Sequence, residues 1–195
     1  MISVQPKRFT LKQYHDMSEL GILSPTERTE LINGEIVTMA AKVTAHTSAV
    51  LVTHHLLIKF LSERAFVQCQ DPIQLSDRSE PEPDVAVVKL DPLAYSTRHP
   101  APEDVLLLIE VAGSSLKYDL ENEAPIYAAA NIADYWILDV IERELHVFRQ
   151  PANGRYQSHL VLASALSISP LAFNDLEIQI LDMLPPQPSM HTDLS

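Results

Sequence analysis

Hydrophobic and polar positions recur along this chain with two spacings, and each spacing predicts a different kind of element. Two β-like runs between Thr29 and Met39 are joined by Asn33-Gly34, a pair that tolerates the positive φ angles of a two-residue type I′ turn. From Thr44 to Ser62, apolar residues recur at three- and four-residue steps, as in an amphipathic helix. The pattern therefore predicts a β-hairpin followed by a long helix, with Thr44 or Thr47 as its cap.

The rest of the chain is predicted as one more short helix, several strands and a second covering helix. Residues 8–20 predict an amphipathic helix whose inward contacts are Phe9, Leu11, Tyr14 and Leu20. A helix is predicted to run to about residue 130. Because Pro125 cannot donate a backbone hydrogen bond, either the regular part of this helix starts near Asn122 or the helix is kinked at the proline. Asn131 suits the left-handed cap that ends it. Short runs rich in Val, Ile and Leu predict strands at residues 66–69, 72–76, 82–88, 105–111, 134–139, 144–149 and 156–162.

This order of elements predicts an α/β (α+β) protein with a mixed central sheet flanked by helices and an N-terminal β-hairpin. At 195 residues and 46% hydrophobic content, the chain fits one domain better than two. We predict that domain over residues 1–183. The tail of residues 184–195, with three prolines and polar residues, is predicted to be disordered.

Composition and charge place the chain among ordinary globular proteins. No apolar stretch approaches the ~20 residues that span a bilayer, and Met1 to Thr10 contain no apolar signal core, so a cytoplasmic location without a membrane partner is predicted. The net charge of −12 argues against a protein that coats nucleic acid. Residues 1–64 carry seven Lys/Arg and six Asp/Glu, so a polyanion meets less repulsion there, near Lys42, Lys59 and Arg64.

Two acids on adjacent predicted strands are the main chemical signal. If the strands that carry Asp84 and Glu110 are antiparallel neighbours, a register that pairs these two residues also pairs Val88 with Leu106. The carboxylates then lie at one end of the sheet, roughly 5 Å apart between Cβ atoms. Two acids that close repel and favour a cation between them. The alternative is a pair of strand-end acids that are solvated or bonded to local backbone.

These segments in their order resemble the Uma-two family of putative restriction endonucleases, a branch of the PD-(D/E)XK nuclease superfamily. The resemblance covers roughly residues 10–150 and is carried by Glu30 to Glu35, His46, Pro83-Asp84, Ile109-Glu110-Val111, Asp119, Tyr127 and Asp134 to Asp139. It implies a restriction-endonuclease-like fold and hydrolysis of DNA with Mg²⁺, or Mn²⁺ as the alternative ion. In that pattern Asp84 and Glu110 hold the metal, and the carbonyl of Val111 is a further ligand.

The sequence departs from the family pattern at the catalytic lysine. The superfamily motif has a lysine two residues after the second acid, where this chain has Ala112. Members of the family instead carry a lysine on the following helix, at the position of Glu123. A cation at this place orients the attacking water and offsets phosphate charge, which a glutamate cannot do. Lys117 is the nearest substitute in the sequence.

Other polar residues have two interpretations each. Glu30 and Glu35 flank the hairpin turn, and although such acids usually face solvent, one of them is a candidate to approach the metal, with Glu35 preferred. His46 is either a surface imidazole near the start of the long helix or a contact for substrate phosphate. We interpret Asp119 as a residue that caps or orients a helix start, not as a metal ligand.

Three functions are compatible with the sequence. The first is a metal-dependent endonuclease acting on DNA, with a homodimer as the form that would cut both strands. The second is a nuclease-fold protein that lacks cleavage activity and binds nucleic acid or a protein partner. The third is a small-molecule phosphodiesterase, or another carboxylate–metal hydrolase, on an unrelated α/β scaffold. Substrate preference and an occupied metal site would discriminate among them.

Overall fold

The computed structural model describes residues 5–39 and 42–187. Its helices are α1 (Leu11–Glu19), α2 (Thr44–Leu61), α3 (Leu116–Tyr118), α4 (Ala124–Ala129) and α5 (Ile180–Met183), with a 3₁₀ turn at Pro102–Asp104 and a π-helical turn at Asp119–Glu123. Its strands are β1 (Thr29–Ile32), β2 (Glu35–Thr38), β3 (Phe66–Gln68), β4 (Val85–Val88), β5 (Val105–Ala112), β6 (Asp134–Asp139), β7 (Glu144–Ala152), β8 (Arg155–Ala163), β9 (Ser167–Ile168) and β10 (Ile178–Gln179).

Six of the strands form the mixed central sheet that the sequence predicts. Their order is β3-β4-β5-β6-β7-β8, and all neighbours are antiparallel except β5 and β6, which are parallel. A parallel pair needs a crossover, and the helical segment from α3 to α4 supplies it. The strands β1 and β2 form the separate predicted hairpin, and β9 pairs with β10 in a further two-stranded ladder. The predicted fold class is confirmed.

The sheet is covered on both faces, which explains why its central strands are apolar along their whole length. On one face, α2 packs Val50, Leu57 and Leu61 against side chains of β4, β5 and β6. On the other face, Ala124 and Tyr127 of α4 pack against the alternate residues of the same strands. Among the described residues, no helix is long and apolar enough to cross a membrane.

The hairpin turn has the geometry that Asn33-Gly34 predicts. Both residues have positive φ, 50° and 77°, as a type I′ turn requires. Gly34 is also required by space, since a Cβ added there would lie 2.8 Å from Cβ of Arg8 and 2.9 Å from the carbonyl oxygen of Phe9. The backbone N–H of Phe9 donates to the carbonyl of Gly34, so the turn holds the segment that leads into α1.

The α3-to-α4 segment resolves the question that Pro125 raises. The helix begins at Leu116, and the π-helical turn lies directly before α4, in which Pro125 occupies the first turn. A proline cannot donate to the preceding turn, so the wider π turn accommodates it without ending the helix. Asn131 has φ of 60° and ends the helix in the predicted left-handed conformation. The π turn carries Asp119 and Glu123, both buried.

Several local predictions were wrong for identifiable reasons. Leu20 is 75% exposed because α1 ends one residue before it. Neither Thr44 nor Thr47 caps α2, whose N-cap is Val43 without a side-chain hydrogen bond. Residues 72–76 form no strand of the sheet, because the backbone N–H groups of Ile73 and Gln74 donate to Pro81 and Pro100, which lack an N–H to return.

At the C-terminus, the predicted tail starts with a residue that packs in the protein interior. Leu184 is 3% exposed and belongs to the cluster beneath α2. Thr53 of α2 donates from its hydroxyl to the carbonyl of Met183, which ties α5 to that helix. Residues 188–195 of the predicted tail lie outside the described residues, and the single domain over residues 1–183 stays a prediction.

Candidate active site

Asp84 and Glu110 lie side by side at one end of the central sheet. Val85 pairs with Ile109, so the register places Asp84, the residue before β4, opposite Glu110 on β5. The backbone N–H of Asp84 donates to Oε2 of Glu110 at 3.1 Å. The predicted pairing of Val88 with Leu106 is wrong, because a β-bulge between Val87 and Val88 shifts the partner of Val88 to Val105. The bulge lies at the far end of β4 and leaves the two acids adjacent.

Three donors hold the carboxylate of Asp84. His46 Nε2 lies 2.8 Å from Oδ2, Gln70 Nε2 donates to Oδ1 at 2.9 Å, and the backbone N–H of Val111 donates to Oδ2 at 3.0 Å. Burial alone raises the pKa of Asp84, but these hydrogen bonds and the charge of His46 outweigh it, so the pKa is lowered. Asp84 is therefore a fixed, ionised carboxylate although it is only 7% exposed.

Glu110 is in a different electrostatic state from Asp84. The hydroxyl of Tyr127 donates to its Oε1 at 2.8 Å, which fixes the carboxyl group. Burial raises the pKa of Glu110 well above its usual value, and the negative charges of Glu123, Asp84 and Asp119 raise it further. The neighbouring carboxylates thus differ, since Asp84 is a carboxylate at neutral pH and Glu110 favours its protonated form.

Glu123 is the acid that acts most strongly on Glu110. After burial, the negative charge of Glu123 is the largest cause of the raised pKa of Glu110. Burial raises the pKa of Glu123 well above its usual value, followed by the charges of Asp119, Glu30 and Asp84. Its Oε2 is buried and has no hydrogen-bond partner within residues 5–39 and 42–187.

Two further acids belong to this negative environment. Burial raises the pKa of Asp119 to about 7, although the hydroxyl of Ser115 donates to its Oδ2 at 3.1 Å. Burial and the charge of Glu82 raise the pKa of Glu30 to about 7. Glu30 is 3% exposed and contributes to the raised pKa of Glu123. Asp119 thus faces the acids and lines the pocket that they form, in addition to accepting a hydrogen bond at the helix start.

The acids line a pocket that also contains cations. Its volume is about 340 Å³, and it is bounded by β2, the start of α2, the end of β5 and the segment around α3. Arg28 and Lys42 line it, and Arg28 is paired with Glu82 at 2.8 Å. Burial lowers the pKa of Lys42, the charge of Arg28 lowers it further, and Asp84 opposes the effect. The pocket therefore combines oxygen ligands with basic groups at its wall.

Two residues predicted from the sequence lie away from these acids. Lys117 is 82% exposed, and its Nζ lies 4.0 Å from Glu121 in the solvent. Glu35 is 58% exposed and pairs with Arg8. The position of Glu35 does not support its preference over Glu30, because Glu35 is exposed and ion-paired with Arg8 whereas Glu30 is buried. Val111, by contrast, lines the pocket beside Asp84, and the role of its carbonyl as a metal ligand stays a prediction.

The sequence interpretation missed several of the residues that complete the site. Gln70 reaches Asp84 from an irregular loop and has a positive φ of 58°, which no sequence pattern marks. The sequence predicts His46 as either a surface imidazole or a phosphate contact, whereas in the structure its Nε2 is hydrogen-bonded to Asp84. The sequence indicates Lys42 only as one of several basic residues, and its position on the wall of the pocket is a feature of the tertiary structure. Tyr127 is one of the residues that carry the family resemblance, but nothing in the sequence indicates that its hydroxyl donates to Glu110.

The donor set fits a hard divalent cation. Mg²⁺ takes oxygen ligands from one or two carboxylates and completes its shell with water and substrate. Oδ2 of Asp84 accepts two hydrogen bonds, whereas Oδ1 of Asp84 and both oxygens of Glu110 each accept one and keep a further lone pair. Oε2 of Glu123 is buried without a hydrogen-bond partner among the described residues, so the protein leaves one oxygen of this group of acids unpaired.

The raised pKa values predict how the stability of the metal-free protein depends on pH. Glu30 keeps its proton in the folded state up to about pH 7, whereas the unfolded chain releases it near 4.5. Folding thus takes up a proton, and this stabilisation is full below the ordinary pKa and is lost as the pH rises through 7. The shift corresponds to about 3 kcal/mol at most for Glu30.

Urea unfolding in EDTA at pH 5.5 and pH 8 would measure this effect. We expect the free energy of unfolding to fall with rising pH, and Glu30→Gln to remove part of that fall. Glu27→Gln, which changes an exposed acid of the same region, is the matched control. Equal pH dependence in the native protein and in Glu30→Gln would contradict the assigned role of Glu30.

Comparison with known proteins identifies the family of this chain and shows a similar fold among solved structures. Residues 11–183 match the Uma2 family, described as "Putative restriction endonuclease". Among solved structures, the chain is similar to a putative nuclease of DUF820 from Anabaena variabilis, with a TM-score of 0.66 and 17% identity over 90% of this chain and 97% of that chain. At that identity, the likeness concerns the fold. No curated protein matches the sequence.

Proposed function

From the premise that this chain belongs to the Uma2 family of putative restriction endonucleases, we propose that its acidic pocket is the active site of a divalent-metal-dependent endonuclease acting on DNA. The observation that carries the proposal is the juxtaposition of Asp84 and Glu110, with a hydrogen bond of 3.1 Å from the backbone of one to the carboxyl group of the other. Family membership, as expected from the sequence, supports the reaction class.

The residues that would hold the ion are Asp84, Glu110 and the backbone carbonyl of Val111. When bound, Mg²⁺ or Mn²⁺ supplies a water of lowered pKa and positive charge beside the scissile phosphate. His46 and Gln70 fix the orientation of the Asp84 carboxylate, and Tyr127 fixes Glu110. Glu110, whose pKa is raised, must be deprotonated before it ligates a cation, because a ligating carboxyl group is ionised.

Lys42 is the residue that we propose as the cation facing the substrate. Lys117 does not line the pocket, and Glu123 occupies the family's lysine position with a carboxyl group. Lys42 lines the pocket, and its lowered pKa reflects burial and the nearby charge of Arg28. Together Lys42 and Arg28 would attract a phosphate to a wall of the pocket opposite the acids.

A second candidate function is a nuclease-fold protein that binds nucleic acid without cutting it. The specific observation in its favour is the buried pair of acids Glu110 and Glu123, whose burial and mutual negative charge raise the pKa of Glu110. This pair holds Glu110 away from its ligating state and puts no cation beside it. The unrelated scaffold of the third hypothesis is excluded by the family match and the fold. Homodimer formation and a cytoplasmic location stay predictions.

A DNA-cleavage assay tests the proposal. Purified protein is incubated with supercoiled plasmid at low salt in Mg²⁺, in Mn²⁺ and in EDTA. We expect nicked or linear DNA with either ion and intact plasmid in EDTA, because metal binding is required to activate the water. A small phosphodiester serves as a parallel substrate, and faster cleavage of it than of DNA would favour a phosphodiesterase.

The second function has its own signature in the same assay. Intact plasmid with both ions, together with a DNA mobility shift by the folded protein, would contradict the nuclease proposal and support binding without cleavage. Folding is checked by circular dichroism. The mobility shift is measured at two salt concentrations, because attraction to phosphates weakens as salt rises.

A further inference from the structure

A second group of ligand-type side chains lies at the junction of β6 and β7. Asp139, the last residue of β6, is paired across the sheet with Glu144, the first residue of β7. His146 follows two positions later, so it points to the same face of the sheet as Glu144. One ligand atom from each of the three residues lies within 4.8 Å of the other two. No other group of this kind occurs among the residues that the structure describes.

His146 contributes a buried nitrogen that faces this group. The residue is 7% exposed, and its Nε2 is buried without a hydrogen-bond partner in the described parts of the chain. Oε1 of Glu144 lies 3.3 Å from this nitrogen, but the contact lacks the geometry of a hydrogen bond. An unpartnered ring nitrogen beside a carboxylate is costly when buried, and a cation between the two atoms removes that cost.

The other nitrogen of His146 is held by a second histidine. Nδ1 of His146 lies 3.0 Å from Nε2 of His159, and the two rings are stacked with centroids 5.2 Å apart. When His146 donates from Nδ1 to His159, its Nε2 has a free lone pair. Histidines that bind metals commonly donate their second N–H to an outer partner in this way.

Asp139 is also fixed before any ligand arrives. Its Oδ1 accepts from the backbone N–H groups of Ile141 at 2.8 Å and Glu142 at 3.1 Å. This turn closes the short connection between β6 and β7 and holds the carboxylate in place. Glu144, whose side chain is 33% exposed, is the route from this group to solvent. The group therefore has two fixed ligands and one adjustable ligand.

We propose that Asp139, Glu144 and His146 bind a divalent transition-metal ion such as Zn²⁺, with His159 fixing the tautomer of His146. One imidazole nitrogen with two carboxylate oxygens is a donor set for Zn²⁺, whereas Mg²⁺ favours oxygen alone. The ion ties the end of β6 to the start of β7 and stabilises that junction.

This site is distinct from the acidic pocket and does not depend on the proposed nuclease activity. Ile137 pairs with Glu110 on one side and with His146 on the other, so two strand spacings, roughly 10 Å, separate their backbones. Metal binding at the β6–β7 junction therefore has to be measured without interference from the pocket. A Glu110→Gln background removes one carboxylate of the pocket for this purpose.

Calorimetric titration with Zn²⁺ and thermal unfolding with and without Zn²⁺ test the proposal in that background. We expect one bound ion and a rise in Tm, since an ion that binds only the folded state stabilises it. Glu144→Gln and His146→Gln should each weaken binding at least about tenfold, and His159→Gln by about tenfold. Glu142→Gln, an exposed acid of the same turn, is the matched control and should leave both measurements unchanged.

Three results would overturn the proposal. They are the absence of Zn²⁺ binding at micromolar concentrations, binding that neither Glu144→Gln nor His146→Gln weakens, and equal weakening by Glu142→Gln. Glu144→Gln keeps the size of a partly exposed side chain and so keeps the fold, which circular dichroism confirms. With Co²⁺ in place of Zn²⁺, the visible absorption spectrum of His146→Gln is compared with that of the parent protein. A difference between the two spectra would show loss of the nitrogen ligand independently of stability.

Discussion

Replacing Asp84 or Glu110 with alanine is expected to abolish Mg²⁺-dependent cleavage of DNA. Each substitution removes one of the two carboxylates that we assign to the ion, and loss of one such electrostatic contact costs about 10²- to 10³-fold or more in rate. The measurement is the rate of plasmid nicking at equal Mg²⁺ and low salt. Glu121→Ala, which removes an exposed acid near the same helix, should leave the rate unchanged.

The two substitutions should differ in stability, because the two acids are in different electrostatic states. Both acids are buried, so each substitution affects folding as well as metal binding. Asp84→Ala leaves His46, Gln70 and the N–H of Val111 without their acceptor, at a cost of about 1–3 kcal/mol for an unsatisfied group. Glu110→Gln removes an acid whose raised pKa shows that its charge is unfavourable there.

We therefore expect Glu110→Gln to be inactive but at least as stable as the native protein at pH 8 in EDTA. Urea unfolding supplies the comparison. Full Mg²⁺-dependent cleavage by either the Asp84 or the Glu110 variant would remove that residue from the mechanism. A destabilised Glu110→Gln would show that its bond to Tyr127 matters more than relief of the negative charge.

Glu123→Lys is expected to raise Mg²⁺-dependent cleavage by about tenfold or more, if the rest of the site is intact. Glu123 is 6% exposed and its negative charge raises the pKa of Glu110, so an ammonium group at this position would replace a like charge beside Glu110 with an opposite one. That change favours the ionised form of Glu110, which can ligate a cation, and adds a positive charge for the phosphate. Cleavage rates at fixed Mg²⁺ test the effect.

Two matched variants separate the causes of any gain. Glu121→Lys makes the same change of two charge units at an exposed position of the same π turn, so it controls for general attraction to DNA. Glu123→Gln removes the negative charge without adding a cation. We expect the gain to be largest for Glu123→Lys, smaller for Glu123→Gln and minimal for Glu121→Lys.

The lysine variants complete this comparison. Lys117→Ala should change little, because Lys117 is 82% exposed and lies beside Glu121, whereas Lys42→Ala should lower any native activity. The native protein could cleave DNA rapidly, with no loss of rate in Lys42→Ala and no gain in Glu123→Lys. That set of results would mean that neither position supplies the cation. Removal of native activity by Lys117→Ala would restore the assignment made from the sequence.

The sequence by itself determined the elements whose cause is local. Asn33-Gly34 specified a type I′ hairpin because its backbone conformation depends on those two residues alone. The three- and four-residue spacing specified α2, and the apolar runs specified β4, β5 and β6, since burial on both faces needs continuous apolar side chains. The sequence also predicted that Asp84 lies opposite Glu110 if their strands are antiparallel neighbours, and the register of β4 and β5 confirms this position.

Tertiary structure alone decided the chemistry of that site. Gln70 and His46 reach Asp84 from positions 14 and 38 residues earlier, and no periodicity encodes such contacts. The protonation of Glu110 and Glu123 is equally non-local, because a pKa shift depends on burial and on charges brought together by folding. The β6–β7 group likewise needs His159 on a third strand to fix His146. Residue types and spacing predict which acids meet, whereas the packing around them sets which is charged.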